Sequence, residues 1–268
     1  MKKKIIVCYL FTQFDKKKSL QNFINNYKKF NAGVNHKLLI CFKLVSNKDL
    51  NFYRILLNKI KFIEFIDPYN INDYDFGSYR RVAERYSSYT IFFLNSHSYP
   101  IKTFWLKKIL KHYKNRTIIG TSASYESLLS SLKIKKIYNF VSFIFKLFKY
   151  RKNFNVFPNP HLRTSSFLIN AKDFLSFTKN KSFRNKEDAW IAESGVNGLT
   201  NYFRYKNYKI IIVNSDSQKF YENQWAYSKT YNYLKQNKSL ISDKHTRKYL
   251  KLSNKERLIS QHIVWGDK

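Results

Sequence analysis

Three parts of this chain gather side chains that could handle a phosphate or a proton. In the first, an acidic residue precedes a glycine in Asp75-Phe76-Gly77-Ser78-Tyr79-Arg80-Arg81, and Asn95-Ser96-His97-Ser98 follows the unbroken apolar and aromatic run of residues 89–94. In the second, Pro158-Asn159-Pro160-His161-Leu162-Arg163-Thr164 leads into another apolar run. In the third, running from Asn185 to Thr200, Glu193 precedes the turn pair Ser194-Gly195. Arginine suits bidentate contact with phosphate and histidine exchanges a proton near neutral pH, so Arg163 and His161, with Thr164 beside them, are expected to face a phosphate or an acceptor. Arg80 is a further cation that could meet a phosphate. Glu193 is expected at a loop tip, presented by the Ser194-Gly195 turn, where a carboxylate is a candidate general base.

These residues need elements to hold them. Residues 89–94 read as a buried strand of a mostly parallel sheet, and ligands of open α/β sheets bind beyond the carboxyl ends of the strands, which is where Asn95, Ser96 and His97 fall. Gly77 is expected to let a loop turn sharply ahead of a helix over 80–86. Upstream, the apolar run 5–11 predicts a strand ending at Thr12. Leu20, Phe23, Ile24 and Tyr27 predict a helix over 19–30. A strand over 37–44, a helix over 50–60 and a short strand over 63–66 follow. This alternation predicts βαβ units and a parallel sheet. Thr12 and Asp67 then fall on the ligand side, Asp67 either binding a base or ribose or forming a turn before Pro68. Later elements are a helix over 104–113, strands over 117–120, 167–169 and 208–213, and a helix over 171–177. From residue 220 onward, Trp225, Tyr227, Tyr231, Tyr233 and a basic helix over 248–261 either close over an acceptor or pack on the sheet.

A chain of 268 residues can hold one large α/β domain, and its net charge of +33 points to an anionic partner. Lys, Asn, Ile, Phe and Tyr are abundant together, as adenine- and thymine-rich codons dictate, so codon composition accounts for much of that charge. The basic residues do not cluster on one arm or helix, and no nucleic acid partner is expected. Cys8 and Cys41 lie inside strands and read as apolar packing in a reducing compartment, without a disulfide. Met1-Lys2-Lys3-Lys4 and the apolar run after it read as the first strand rather than a leader peptide. Over residues 134–148, Ile134, Ile137, Tyr138, Val141, Ile144, Phe145 and Phe148 form a helical face widened by Phe140, Phe143 and Leu147. Lys135, Asn139, Ser142, Lys146 and Lys149 hold the opposite face. Too short and too charged to cross a bilayer, this helix either lies in the headgroup region of an anionic membrane or packs as core.

The Asp-Phe-Gly-Ser-Tyr loop, the Leu-Asn-Ser strand end, the Pro-Asn-Pro-His-Leu-Arg-Thr loop and the Glu-Ser-Gly-Val-Asn-Gly-Leu-Thr stretch together resemble bacterial GT-A-type glycosyltransferases of polysaccharide assembly, including rhamnan-synthesis and family-2-like enzymes. The resemblance implies an α/β, GT-A-like (Rossmann-like) catalytic domain over residues 1–220 with an amphipathic insertion at 131–152. Residues 221–268 are then a small helical C-terminal extension. It implies hexosyl transfer, with inversion, from a nucleotide-diphosphate-sugar to a hydroxyl of a glycan or lipid-linked acceptor in capsule or lipopolysaccharide synthesis. The expected place is the cytoplasm, peripherally on the anionic inner face of the plasma membrane. Carried over by position, Thr12, Asp67, Asp75, Gly77, Tyr79, Arg80, Asn95 and Ser96 bind the donor, and His161, Arg163 and Thr164 serve the acceptor or phosphate. Glu193 takes the place of the inverting base, with Asp188 in reserve. Asn95-Ser96-His97-Ser98 stands where the family has an Asp-x-Asp motif. Hard cations prefer carboxylate oxygens, so no metal is expected here, and Asn95 and His97 become ligands only if transfer needs Mg or Mn. The rival reading is a non-catalytic basic aromatic module docking on an anionic membrane or acidic polymer. The two part on whether Asp75, Tyr79, Asn95 and Glu193 converge on one cleft.

Overall fold

Side chains alternate across a strand, so a run apolar at every position is stable only where both faces are covered. Apart from polar residues at their ends, β1 (Ile5–Thr12), β2 (Lys37–Lys43) and β4 (Thr90–Leu94) are such runs, and β3 (Ile63–Ile66) lies beyond them at the edge. The computed structural model, which describes residues 4–133 and 140–267, pairs β1 in parallel with both β2 and β4, and β2 in parallel with β3. Helices α1 (Lys17–Lys29), α2 (Asn47–Leu57) and α3 (Tyr74–Arg85) form the crossovers. Ile6, Cys8 and Leu10 pack into the apolar cluster on one face of the sheet, and Ile5, Val7, Tyr9 and Phe11 into that on the other. Both cysteines are free and buried.

The chain continues through β5 (Tyr99–Pro100), α4 (Trp105–Leu110), β6 (Thr117–Gly120), β7 (Ala123–Ser124), α5 (Phe140–Asn153), β8 (His161–Leu162), β9 (Ser166–Asn170) and α6 (Ala171–Thr178). Then come α7 (Lys186–Ser194), α8 (Leu199–Tyr205), β10 (Lys209–Val213), β11 (Lys219–Phe220), β12 (Ile241–Ser242), α9 (Lys244–Leu250) and α10 (Asn254–Trp265). The main sheet has eight strands in the order β11-β10-β6-β9-β4-β1-β2-β3. It is the mostly parallel α/β sheet that the sequence predicts, with β9 running antiparallel between β4 and β6, and β11 antiparallel to β10. From β1 the order steps to β2 and β3 on one side and to β4 on the other. The carboxyl ends of β1 and β4 therefore flank a topological switch point, the crevice where open α/β sheets bind ligands.

Three local expectations change. Asp75 and Gly77 lie inside α3, not in a loop ahead of a helix over 80–86. Glu193 stands in the last turn of α7, which Gly195 ends, rather than at a loop tip. The basic helix expected over 248–261 is two helices, because the Ser253 hydroxyl accepts from the Glu256 N–H and starts a new one at Asn254. Residues 221–267 pack on the same core: Trp225 and Trp265 join the cluster that holds Cys8, Tyr125 N–H donates to the Val264 carbonyl, and β12 pairs with β5. Of the apolar helical face expected over 134–148, Ile134, Ile137 and Tyr138 lie outside the described residues, as do Met1, Lys2 and Lys3.

Candidate active site

A cavity of about 460 Å³ opens at the switch point. From the α/β half, Asp75 on α3 and Asn95 and His97 beyond β4 line it. His161, Arg163, Thr164 and Ser165, around and after β8, form a second side, and Trp190 and Glu193 on α7 a third. Glu126, Tyr231, Asp243, Lys244 and His245 complete the wall.

A network anchored on Asp15 ties the ends of β1 and β4 together. One Asp15 oxygen accepts from Thr12 N–H (2.9 Å) and Thr12 Oγ1 (2.7 Å), and the other accepts from Ser96 Oγ at 2.7 Å, with His97 Nε2 3.7 Å away. Tyr9 Oη donates to the Ser96 carbonyl at 2.7 Å. Asn95 Oδ1 accepts from His97 N–H and Ser98 Oγ, while its own N–H donates to the Ser165 carbonyl. The Asn95 oxygen is thus occupied within its own loop, and among the described residues no three His, Cys, Asp or Glu side chains come together as a metal would require.

The second side is held from two directions. Glu193 Oε1 accepts from Thr164 N–H at 2.7 Å and Thr164 Oγ1 at 3.0 Å. Arg163 donates from Nη1 to Asp243 Oδ2 at 2.6 Å, and its guanidinium lies 3.7 Å from the centre of the Tyr231 ring. Burial alone would raise the Asp243 carboxyl, but the charge and hydrogen bond of Arg163 hold it at about 2. Asp243 also caps α9 by accepting from His245 and Thr246 N–H. His161 donates from Nδ1–H to the Asn159 carbonyl at 2.8 Å, and burial pushes its imidazole below the ordinary range, the Glu193 charge opposing. Burial likewise lowers His97 and His245. It lifts Glu126, with Arg163 pulling down and Glu193 pushing up. For Asp75, burial pushes the carboxyl up to about 6, and the neighbouring Asp15 and Glu193 charges act in the same direction.

Of the residues the sequence singles out, Asp75, Asn95, His97, His161, Arg163, Thr164 and Glu193 come together on this one wall, and Thr12 and Ser96 stand just behind it through Asp15. The others lie elsewhere. Tyr79 is buried in the core with its ring stacked 4.3 Å from that of Phe93. Arg80 donates to the Thr178 and Lys181 carbonyls on the outer side of α3. Asp188 is the far-end cap of α7, accepting from Arg184 and Asn185 N–H. Asp67 is locked into a buried cluster, accepting from Ser78 Oγ and Arg81 Nη2, with Lys43 Nζ 3.7 Å away. Gly77 serves that cluster, since a Cβ there would stand 1.9 Å from Asp73 Oδ2. Sequence reasoning missed Glu126, Asp243, Lys244 and His245, and named Tyr231 only among the aromatic residues that either close over an acceptor or pack on the sheet. Asp243 followed three residues later by Thr246 was legible as a helix cap, but its reach to Arg163, 80 positions away, leaves no local signal.

No family model matches the sequence, and no curated protein matches it. Solved structures similar to it include the bifunctional glycosyltransferase WbbM, covering 72% of this chain and 37% of its own (TM-score 0.41, 11% identity). The galactosyltransferase LgtC, solved with donor and acceptor sugar analogues, covers 78% of this chain and 73% of its own (TM-score 0.43, 11% identity). A 4-diphosphocytidyl-2C-methyl-D-erythritol synthase from Anaerococcus prevotii covers 79% and 88% (TM-score 0.46, 10% identity). The chain spans little more than a third of WbbM, and at these TM-scores the likenesses carry nothing about the site.

Proposed function

We propose that this protein is a glycosyltransferase that moves a sugar from a nucleotide-diphosphate-sugar to an acceptor hydroxyl in the cavity at the β1–β4 switch point. The observation that carries the reading is convergence: of the four residues on which the two readings part, Asp75, Asn95 and Glu193 line one cavity, joined there by Arg163, while the fourth, Tyr79, is buried in the core. Its volume of about 460 Å³ suits a small-molecule ligand, for which pockets run from roughly 300 to 1,000 Å³. A module that docks through its surface has no use for a recessed wall of carboxylates, imidazoles and a pinned arginine. In this reading Arg163, fixed by Asp243 and Tyr231, meets the charge that develops on the leaving diphosphate, and Lys244 stands on the same wall. A wall carboxylate takes the acceptor proton in a direct displacement, which inverts the anomeric centre.

The acceptor in this proposal is a glycan or lipid-linked hydroxyl of a cell-surface polysaccharide, met at the cytoplasmic membrane face. Among the described residues no helix is long and apolar enough to cross a membrane. What supports peripheral attachment is α5, where Val141, Phe145 and Phe148 are 66%, 73% and 63% exposed and Lys146, Lys149, Arg151 and Lys152 are exposed beside them. An apolar stripe with basic neighbours suits the headgroup region of an anionic bilayer.

A thermal-shift series with uridine, guanosine, cytidine and thymidine diphosphates tests the transfer reading. Stabilisation by at least one is expected, and none by any of the four would favour the docking module.

A further inference from the structure

Five carboxylates stand on or just behind the cavity wall, and three of them are committed. Asp15 holds Thr12 and Ser96, Glu193 holds Thr164, and Asp243 holds Arg163 and the start of α9. Asp75 and Glu126 line the cavity and, among the described residues, enter no hydrogen bond or ion pair through their carboxylates. The two differ in position. The charged groups facing Asp75 are Asp15 from the loop after β1, Lys43 at the end of β2 and Glu193 from α7, with Tyr79 one turn along its own helix. Asp75 therefore borders the crevice beyond the carboxyl ends of β1 and β4, the place a sheet of this topology offers to a ligand. The neighbours of Glu126 are Arg163 and Glu193, towards the C-terminal segment.

We infer that Asp75 is the catalytic residue that accepts the acceptor proton, and that Glu193 acts as a positioning residue by fixing Thr164 on the wall of the same cavity. The inference rests on the sugar-transfer reading. As the acceptor oxygen bonds to the anomeric carbon, its proton passes to the Asp75 carboxylate. The bond from that carbon to the diphosphate oxygen breaks, and its electron pair leaves on the nucleoside diphosphate. Asp75 then returns the proton to water. A carboxylate unpaired in the folded protein is free to take a proton, and its elevated basicity, with the carboxyl at about 6, brings it near the working pH of a general base.

The test follows release of nucleoside diphosphate from UDP-, GDP-, CDP- and dTDP-linked hexoses as a function of pH, water standing in for the glycan hydroxyl. Wild type should show kcat/KM rising with pH and levelling above an apparent pKa of about 6. Asp75→Asn should lose that limb and roughly 10²–10⁴-fold in kcat while keeping its thermal shift with nucleoside diphosphate. Glu193→Gln, by removing a negative neighbour, should move the limb to lower pH without abolishing it. A limb that persists in Asp75→Asn, or that disappears only in Glu126→Gln or Glu193→Gln, overturns the assignment and leaves sugar transfer standing. A wild type that releases diphosphate from none of the donors overturns both.

Discussion

Asp73 and Asp75 begin the same helix and end in opposite electrical surroundings. Asp73 accepts from Lys43 and from Arg81 Nη1 at 2.6 Å, and with Asp67 these make a buried set of two cations and two anions. Room for it comes from Gly77, whose missing side chain leaves the Asp73 carboxylate in place. Asp75 faces the cavity, where among the described residues the charges of Asp15 and Glu193 oppose its ionisation and that of the already committed Lys43 favours it. A buried charge whose partners are all present holds structure together. One left open among like charges weakens the fold, and such groups gather at functional sites. Two positions along one helix separate the two roles.

The largest expected effect breaks the paired side. Lys43→Ala leaves Asp67 and Asp73 with a single cation, and removing one partner of a buried pair costs about 3–5 kcal/mol. Urea unfolding should show that loss, and a loss below about 1 kcal/mol would mean the cluster is not a structural core. On the open side the sign reverses. The folded protein keeps a proton on Asp75 up to about pH 6, while the unfolded chain releases it near 3.8, so the native state binds more protons between these values and stability falls as pH rises through them. Asp75→Asn should therefore gain about 1–3 kcal/mol at pH 7, a gain that vanishes below about pH 4. A destabilised Asp75→Asn at pH 7 would erase the contrast between the two aspartates.

The smallest effect on stability is expected far from both. Phe145 and Phe148 are exposed, so replacing both by Ser should change unfolding free energy by no more than about 0.5 kcal/mol. The same variant should sediment less with anionic liposomes, and wild type should be released from them only in part by high salt, because apolar contact is not screened. Collapse of the fold would show α5 to be core.

The sheet was legible because its strands are continuous apolar runs, and that signal survives any tertiary context. The reversed direction of β9 was not, since an apolar run reads the same in either direction. Gly77 was misread for a physical reason: glycine marks both a turn and a close approach, and here the close approach to Asp73 decides. Glu193 was found as a residue and misplaced as an element, because the capping box of Asn185 and Asp188 that starts α7 was overlooked. The C-terminal third of the wall lay beyond local reading. Asp243 directly follows β12, which pairs with β5 about 140 positions back in the chain, and Glu126 carries no motif at all.

The most direct measurement is a crystal structure of the protein grown with whichever nucleoside diphosphate stabilises it. Density in the switch-point cavity, with the diphosphate against Arg163 and Lys244 and the open side towards Asp75, is the predicted result. Density confined to the basic outer surface, with the cavity holding only water, would contradict it.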